Sequence, residues 1–211
     1  MKKIFKIFVC CHKYIHRVED IKARVNEWGL GDYLIFTGGK EEKQIEENVI
    51  QLKCRDLYED LPEKMFAIYG YLADNGYADS YDYFWKIDDD VDFMRWNIER
   101  EESLTESLEG LDYAGFKLKS GDGKRGWHIG RVREDSPWFN KRYSGRYPDW
   151  IDGGTTYFLS SKSLNKWKNF YKLSEIRNYD IYEDLAVAKY LEKCNILPVE
   201  INPWQDKPVL K

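Results

Sequence analysis

Phe84-Trp85-Lys86-Ile87-Asp88-Asp89-Asp90-Val91-Asp92-Phe93 carries an aromatic, apolar run straight into a block of acid. Tyr81–Ile87 has the composition of a buried strand. The three carboxylates that follow repel one another, and sharing a hard divalent cation relieves that repulsion. In an α/β fold the carboxyl end of a sheet strand is also where ligands bind. Asp88, Asp89 and Asp90 therefore read as a metal and ligand crevice, against the competing reading of a solvated acidic turn. Asp88, Asp90, Asp92 and Glu99 also match positions 1, 3, 5 and 12 of an EF-hand loop. That reading fails, because Phe93 stands where the sharp turn needs Gly and a strand precedes the loop instead of a helix. A phosphatase of the haloacid dehalogenase type also carries Asp-x-Asp after an apolar strand, but on its first strand, and it stays as an alternative.

Before this motif strands alternate with helices, and beyond it the pattern is more mixed. Ile4–Val9 reads as a buried strand, and Val18, Ile21, Val25 and Trp28 recur at helical spacing up to Gly29 and Gly31. Tyr33–Phe36 is a strand ending in Thr37-Gly38-Gly39, and Asn48–Leu52 is another. Asp60-Leu61-Pro62-Glu63 predicts a capped helix start, with Met65, Ile68, Tyr69 and Leu72 as its apolar face and Asn75-Gly76 as its stop. Beyond the motif, helices are expected at Asn97–Leu108, Leu164–Tyr171 and Tyr182–Glu192, the last behind a capping Asp180 with Glu183. Strands are expected at Tyr113–Leu118 and Thr155–Leu159. The pattern is an α/β sandwich with one central sheet. The 211 residues suit a single domain.

The first strand is not followed by Gly-x-Gly-x-x-Gly, and Thr37-Gly38-Gly39-Lys40 lacks the spacing of a P-loop. A bound nucleotide would need something else to neutralise its phosphates, and a metal ion is the obvious substitute. The net charge of −4 gives no global field for DNA or anionic lipid. Ile4–Cys11 is too short for a membrane span and lacks a signal-peptide cleavage site. Cys10, Cys11, Cys54 and Cys194 form no disulfide framework and no Asn-x-Ser/Thr site occurs, so reduced thiols and a cytoplasmic location are expected. Aromatic content is 16%, which supplies either a core of large residues or faces for stacking on sugars or bases. Lys119 to Tyr147 has no periodicity and interleaves eight Lys and Arg with Trp127, Trp138, Phe139 and Tyr143. It reads as a lid over an anionic ligand in preference to a nucleic-acid surface.

Four segments in order resemble the β-1,3-galactosyltransferase and fringe-like family of GT-A fold glycosyltransferases. Lys86-Ile87-Asp88-Asp89-Asp90-Val91-Asp92-Phe93 resembles its Asp-x-Asp motif with flanks. Asp56-Leu57-Tyr58-Glu59-Asp60-Leu61-Pro62-Glu63-Lys64-Met65 is similar to its Asp-x-Tyr-x-Asn-Leu-Thr-x-Lys-Thr segment. Tyr147-Pro148 with Gly153-Gly154-Thr155-Thr156-Tyr157-Phe158-Leu159-Ser160 resembles its Tyr-Pro…Gly-Gly-Gly-Tyr-Val-Leu-Ser, and Tyr182-Glu183-Asp184-Leu185-Ala186-Val187 its Glu-Asp-Val-Tyr-Val-Gly. Asp60 and Pro62 depart from that pattern, as do Thr155 and Thr156 where glycines usually stand. A core that starts at its first strand, without a Golgi anchor and stem, also resembles glycosyltransferase domains encoded by large DNA viruses of algae.

The resemblance implies three layers and a central mixed, mostly parallel sheet. It also implies a metal-dependent, inverting transferase that moves a sugar from a UDP-sugar to a glycan or glycoprotein acceptor, as a monomer without nucleic acid. Residues 1–95 would form the donor half and 96–211 the acceptor half. Asp90 is the expected direct ligand of Mn²⁺ or Mg²⁺, with Asp88 on the ribose or a metal-bound water and Asp89 nearby. Cys10, Cys11, His12 and Thr37, at the ends of the first two strands, are placed to hold base and ribose. Lys64 would approach the diphosphate or buttress the acidic cluster. Asp184 matches the family's catalytic base, in a first helical turn that favours its ionised form; Asp152, beside the double glycine, is the alternative. A non-catalytic carbohydrate-binding module is the rival from another class.

Overall fold

The structure is a computed structural model that describes residues 2–91, 98–121, 125–154, 156–168 and 180–202. Strand β1 (Ile4–Val9) is buried along its whole length because both of its faces are covered. Phe5, Ile7 and Val9 enter one apolar cluster and Ile4 and Phe8 the other, as the two-residue period of a strand dictates. Lys6, which breaks the apolar run, is buried on the second face, and its Nζ reaches Glu101 Oε1 at 2.9 Å.

The chain continues through α1 (Val18–Trp28), β2 (Tyr33–Gly39), β3 (Lys43–Glu46), β4 (Val49–Lys53), α2 (Leu61–Asp74) and β5 (Tyr83–Asp88). Gly29 ends α1 at φ 60°, a left-handed conformation suited to glycine. Then follow α3 (Ile98–Ser107), β6 (Tyr113–Gly115), β7 (Leu118–Lys119), β8 (Trp150–Ile151), β9 (Tyr157–Ser160), α4 (Ser161–Leu164), α5 (Glu183–Lys193) and β10 (Val199–Glu200). Eight strands make one sheet in the order β10-β6-β9-β5-β1-β2-β4-β3, and β7 pairs with β8 separately. The pairings from β5 through β1 and β2 to β4, and that of β10 with β6, are parallel; β9 runs antiparallel to both neighbours and β3 to β4. Residues of α1 and α3 pack on one face and those of α2 and α5 on the other, which is the expected sandwich.

Several expectations change in detail. β3 is fully exposed and carries no hydrophobic alternation; it forms by pairing back on β4 through a turn with Asn48 at φ 64°, and its register shifts between Gln44 and Glu46. The expected strand Tyr113–Leu118 is split between two sheets. The expected helix Leu164–Tyr171 is a short helix from Ser161 with a 3₁₀ turn over Asn165–Trp167, and positions 169–171 lie outside the described residues, as do Asp92, Phe93, Asn97 and Thr155. Neither Asp60 nor Asp180 caps a helix. Asp60 Oδ1 lies 2.7 Å from the Arg55 guanidinium, and Asp180 Oδ1 accepts from the Tyr143 hydroxyl and the Lys189 ammonium, both at 2.5 Å. At α2 the ionised partner outcompetes the backbone N–H groups, whereas α5 starts later than expected, with Tyr182 at its N-cap.

No described helix is long and apolar enough to cross a membrane. All four cysteines are unpaired. Burial pushes the thiols of Cys10 and Cys54 up to about 12, since an enclosed thiolate loses its hydration. Iodoacetamide at pH 8 should therefore label the half-buried Cys194 in the native protein while sparing Cys10 and Cys54, and should label all four in denaturant. Native-state labelling of Cys10 at the rate of Cys194 would contradict this packing.

Candidate active site

From β1 the chain steps outward to β2 and β4, then returns through α2 to β5 on the other side of β1. Strand order reverses between β1 and β5, and ligands bind at such a reversal beyond the carboxyl ends of the strands. Asp88 ends β5 opposite Val9 of β1, so the acidic block lies at that point. A cleft of about 790 Å³ opens there, with Asp88, Asp90, Asp152, Glu183 and Asp184 in its lining.

A residue that the motif reading passed over organises this cleft. Lys86 points away from the Trp85 and Ile87 side of β5 and is 1% exposed. Its Nζ lies 2.7 Å from Asp88 Oδ1, 2.9 Å from Glu183 Oε1 and 2.9 Å from the Gly153 carbonyl. One ammonium thus joins the acidic motif, the double-glycine segment and the start of α5. The adjacent carboxylates hold it protonated well above the ordinary lysine value. Burial pushes the Glu183 carboxyl up, against the pull of Lys86. Tyr157 donates to Glu183 Oε2 at 3.2 Å and accepts from Tyr69 at 2.6 Å. Glu183 is therefore part of the interior and not the partner of a cap at Asp180. The signal was available: a lysine inside an otherwise apolar strand has to find carboxylates once the strand is buried.

The glycines follow from the same crowding. A Cβ on Gly153 would fall 2.2 Å from Glu183 Oε1 and 2.9 Å from Asp184 Cβ, so only glycine lets this segment reach α5. A Cβ on Gly154 would make only an ordinary contact, 3.8 Å from Asp152 Oδ1. Thr156, standing where the resemblance expects glycine, keeps a positive φ of 129°, which costs a β-branched residue about 1–3 kcal/mol. Its hydroxyl offsets part of that cost by accepting from Trp85 Nε1 at 2.7 Å and donating to the Lys86 carbonyl.

Asp184 lies buried in the first turn of α5 and accepts from the backbone N–H groups of Gly153 and Leu185 at 3.3 and 2.9 Å. Arg125 Nη1 straddles its two oxygens at 2.7 and 2.9 Å. Asp152 pairs with Lys119 at 2.6 Å. Asp89 turns aside to Arg17 at 2.8 Å, and burial pushes its carboxyl up. Asp90 is exposed and has no hydrogen-bond or ion-pair partner among the described residues. Among those residues no three His, Cys, Asp or Glu side chains sit together as a ready metal site.

The expected donor contacts separate into interior and surface. Cys10 and Thr37 are fully buried, so their side chains cannot touch a ligand. Lys64 is also buried; its ammonium binds the Cys10 carbonyl at 3.1 Å and pairs with Asp56, and it braces β1 against the segment before α2 instead of the acidic cluster. Cys11 Sγ donates to the Asp56 carbonyl at 3.2 Å. His12 is exposed and lines a second pocket of about 770 Å³ with Gly38, Lys53 and Arg55.

The described part of the basic stretch beyond Lys119 forms one wall of the cleft and is tied to the rest of the fold by polar contacts. His128 is fully buried between the Tyr182 hydroxyl and the Lys141 carbonyl, each at 2.6 Å. Arg125 holds Asp184, Tyr143 holds Asp180, and Arg133 crosses to Glu59 at 2.7 Å, just before α2. Positions 122–124 lie outside the described residues.

A mixed, mostly parallel sheet with an acidic strand end at its switch point has the architecture of the GT-A glycosyltransferases. The galactosyltransferase family model matches residues 38–202, and the chain belongs to that family of hexosyltransferases. Membership implies glycosyl transfer from a UDP-sugar to an acceptor, and it sets aside the carbohydrate-binding module and the phosphatase. No curated protein matches the chain.

Lys86→Met should destabilise the protein by about 3–5 kcal/mol, because the buried Glu183 and the half-buried Asp88 lose their cation. In Lys86→Met/Glu183→Gln much of that loss should return, since the charge left behind is smaller. Urea denaturation checks both, and an unchanged midpoint for Lys86→Met would overturn the central place given to this ammonium.

Proposed function

We propose that the protein is an inverting transferase that moves a hexose from a UDP-sugar to a hydroxyl of a glycan or glycoprotein, with Mn²⁺ or Mg²⁺ held by Asp90 and Asp88. The observation that carries this reading is the shared cleft: Asp90, unpaired among the described residues, and the buried Asp184 line one cavity and are tied together through Lys86, Asp88 and Glu183. Two carboxylates are a fitting donor set, because such ions in nucleotide sites keep one or two protein carboxylates and take their remaining ligands from phosphates and water. When bound, the ion offsets the charge that develops on the departing diphosphate.

The rest of the chemistry belongs to the chain. The pocket holding His12, Gly38, Lys53 and Arg55 opens beyond β1, β2 and β4 and suits the base and ribose, which supports reading residues 1–95 as the donor half. Asp184 takes the proton of the acceptor hydroxyl as that oxygen attacks the anomeric carbon from the face opposite the leaving UDP. A single displacement needs one base and no enzyme nucleophile. Arg125 holds the Asp184 carboxylate before the acceptor arrives, and the two backbone N–H groups keep it oriented when the hydroxyl displaces that contact. Asp152, paired with Lys119 on the cleft wall, is the second candidate base. Four unpaired cysteines suit a reducing, cytoplasmic setting.

Asp90→Ala should lose divalent-dependent UDP binding in calorimetry with its melting temperature kept; undiminished UDP binding by the wild type in excess EDTA would overturn the metal assignment. Asp184→Asn should keep UDP affinity while transfer falls roughly 10²–10⁴-fold, the range for losing a general base. Normal transfer by Asp184→Asn together with a dead Asp152→Asn would move the base to the double-glycine segment.

A further inference from the structure

The charges around the cleft pair off almost completely. Lys86 answers Asp88 and Glu183, Lys119 answers Asp152, and Arg125 answers Asp184. Among the described residues of the cleft lining two charged groups are left over. Asp90 is one, and the metal reading employs it. The other is Arg131, an exposed guanidinium in the cleft lining with no carboxylate partner among the described residues. It lies 4.3 Å from the ring centroid of Trp127 and 5.8 Å from that of Tyr58.

Trp127 is anomalous in its own way. The other tryptophans among the described residues are buried or half-buried, whereas Trp127 is 64% exposed at the cleft. Leaving an indole in water forfeits hydrophobic stabilisation that the same side chain would gain in a core. Its position is nonetheless well fixed. The next residue, His128, is clamped at both ring nitrogens, and Arg125, two residues earlier, is anchored on Asp184. Trp127 and the candidate base Asp184 line the same cleft, so a ligand that reaches Asp184 passes the indole. A flat apolar face held in that lining by anchored neighbours is preorganised to stack on a sugar ring.

We propose that Trp127 and Arg131 form an acceptor subsite for a glycan bearing an anionic sugar, with the ring on the indole and its carboxylate or sulfate on the guanidinium. The inference rests on the transferase reading above, in which the donor's diphosphate charge is met by the divalent ion. That leaves the Arg131 charge to be matched by the acceptor. The fork geometry of guanidinium fits a carboxylate or sulfate oxygen pair. It also gives a local cation its use in a protein whose net charge is −4.

Calorimetry with UDP and Mn²⁺ present tests the subsite on the intact protein, using a glucuronate-containing disaccharide, its neutral glucose counterpart and a sulfated disaccharide. The wild type should bind an anionic probe about tenfold or more tightly than the neutral one, as a charge-assisted hydrogen bond allows. The carboxylate and sulfate arms show which anion is preferred. Arg131→Gln should erase the difference while UDP affinity stays unchanged, and Trp127→Ala should weaken all three probes, with melting temperatures confirming the fold. Equal binding of neutral and anionic probes by the wild type would overturn the proposal. So would loss of UDP affinity in Arg131→Gln, which would assign the cation to the donor. A wild type that binds no UDP but still discriminates the probes would sink the transferase reading and leave the subsite standing.

Discussion

A buried ammonium with three partners from three segments is the constraint on which this architecture turns. Removing a lysine from water costs several kcal/mol, and only close carboxylates and a carbonyl recover it. Lys86 obtains these from its own strand, from the loop at Gly153 and from the first residue of α5. No one of them can shift without stranding charge in the interior. The lack of a Cβ at Gly153, the positive φ at Thr156 and the burial of Glu183 are all accommodations to that meeting point. Strand β5, in the middle of the sheet, is thereby fastened to a helix that the chain reaches nearly a hundred residues later.

The wall beyond Lys119 extends the same logic outward. It has little regular structure, so its shape depends on polar contacts made one at a time. Those nearest α5, at His128 and Tyr143, are buried, whereas Arg133 reaches Glu59 at the rim with its guanidinium half in solvent. Fixation is strongest beside Asp184 and weakens toward the start of α2. Many arginines in an acidic protein here reflect internal neutralisation more than attraction of a large polyanion.

Legibility in the sequence followed the range of the forces involved. β1, α1, α2 and β5 could be read because hydrophobic period and terminal residues act locally, and the order of the four motif segments pointed to the family. β3 could not be read, since Lys43-Gln44-Ile45-Glu46 acquires its strand only from β4. Asp60 stands at the N-cap of α2 but turns its carboxylate to Arg55, and Asp180 falls two residues short of the N-cap of α5, where Tyr143 and Lys189 claim it. Cys10, Thr37 and Lys64 were correctly placed at strand and helix ends, but the direction in which each side chain points is a tertiary fact. Lys86 was visible all along as a charge between Trp85 and Ile87, and a rule that buried lysines require partners would have singled it out.

The exposed margin of the sheet at β3 has a consequence for how the protein behaves at high concentration. An unpaired strand offers a row of free N–H and C=O groups to any passing chain, which is how aggregates grow by strand addition. Here that row is only four residues long, is broken by a register shift between Gln44 and Glu46, and presents a lysine and a glutamate to solvent. The opposite margin, β10, is two residues long. Each border of the sheet thus discourages recruitment of another copy, one through charge and irregularity and the other through brevity.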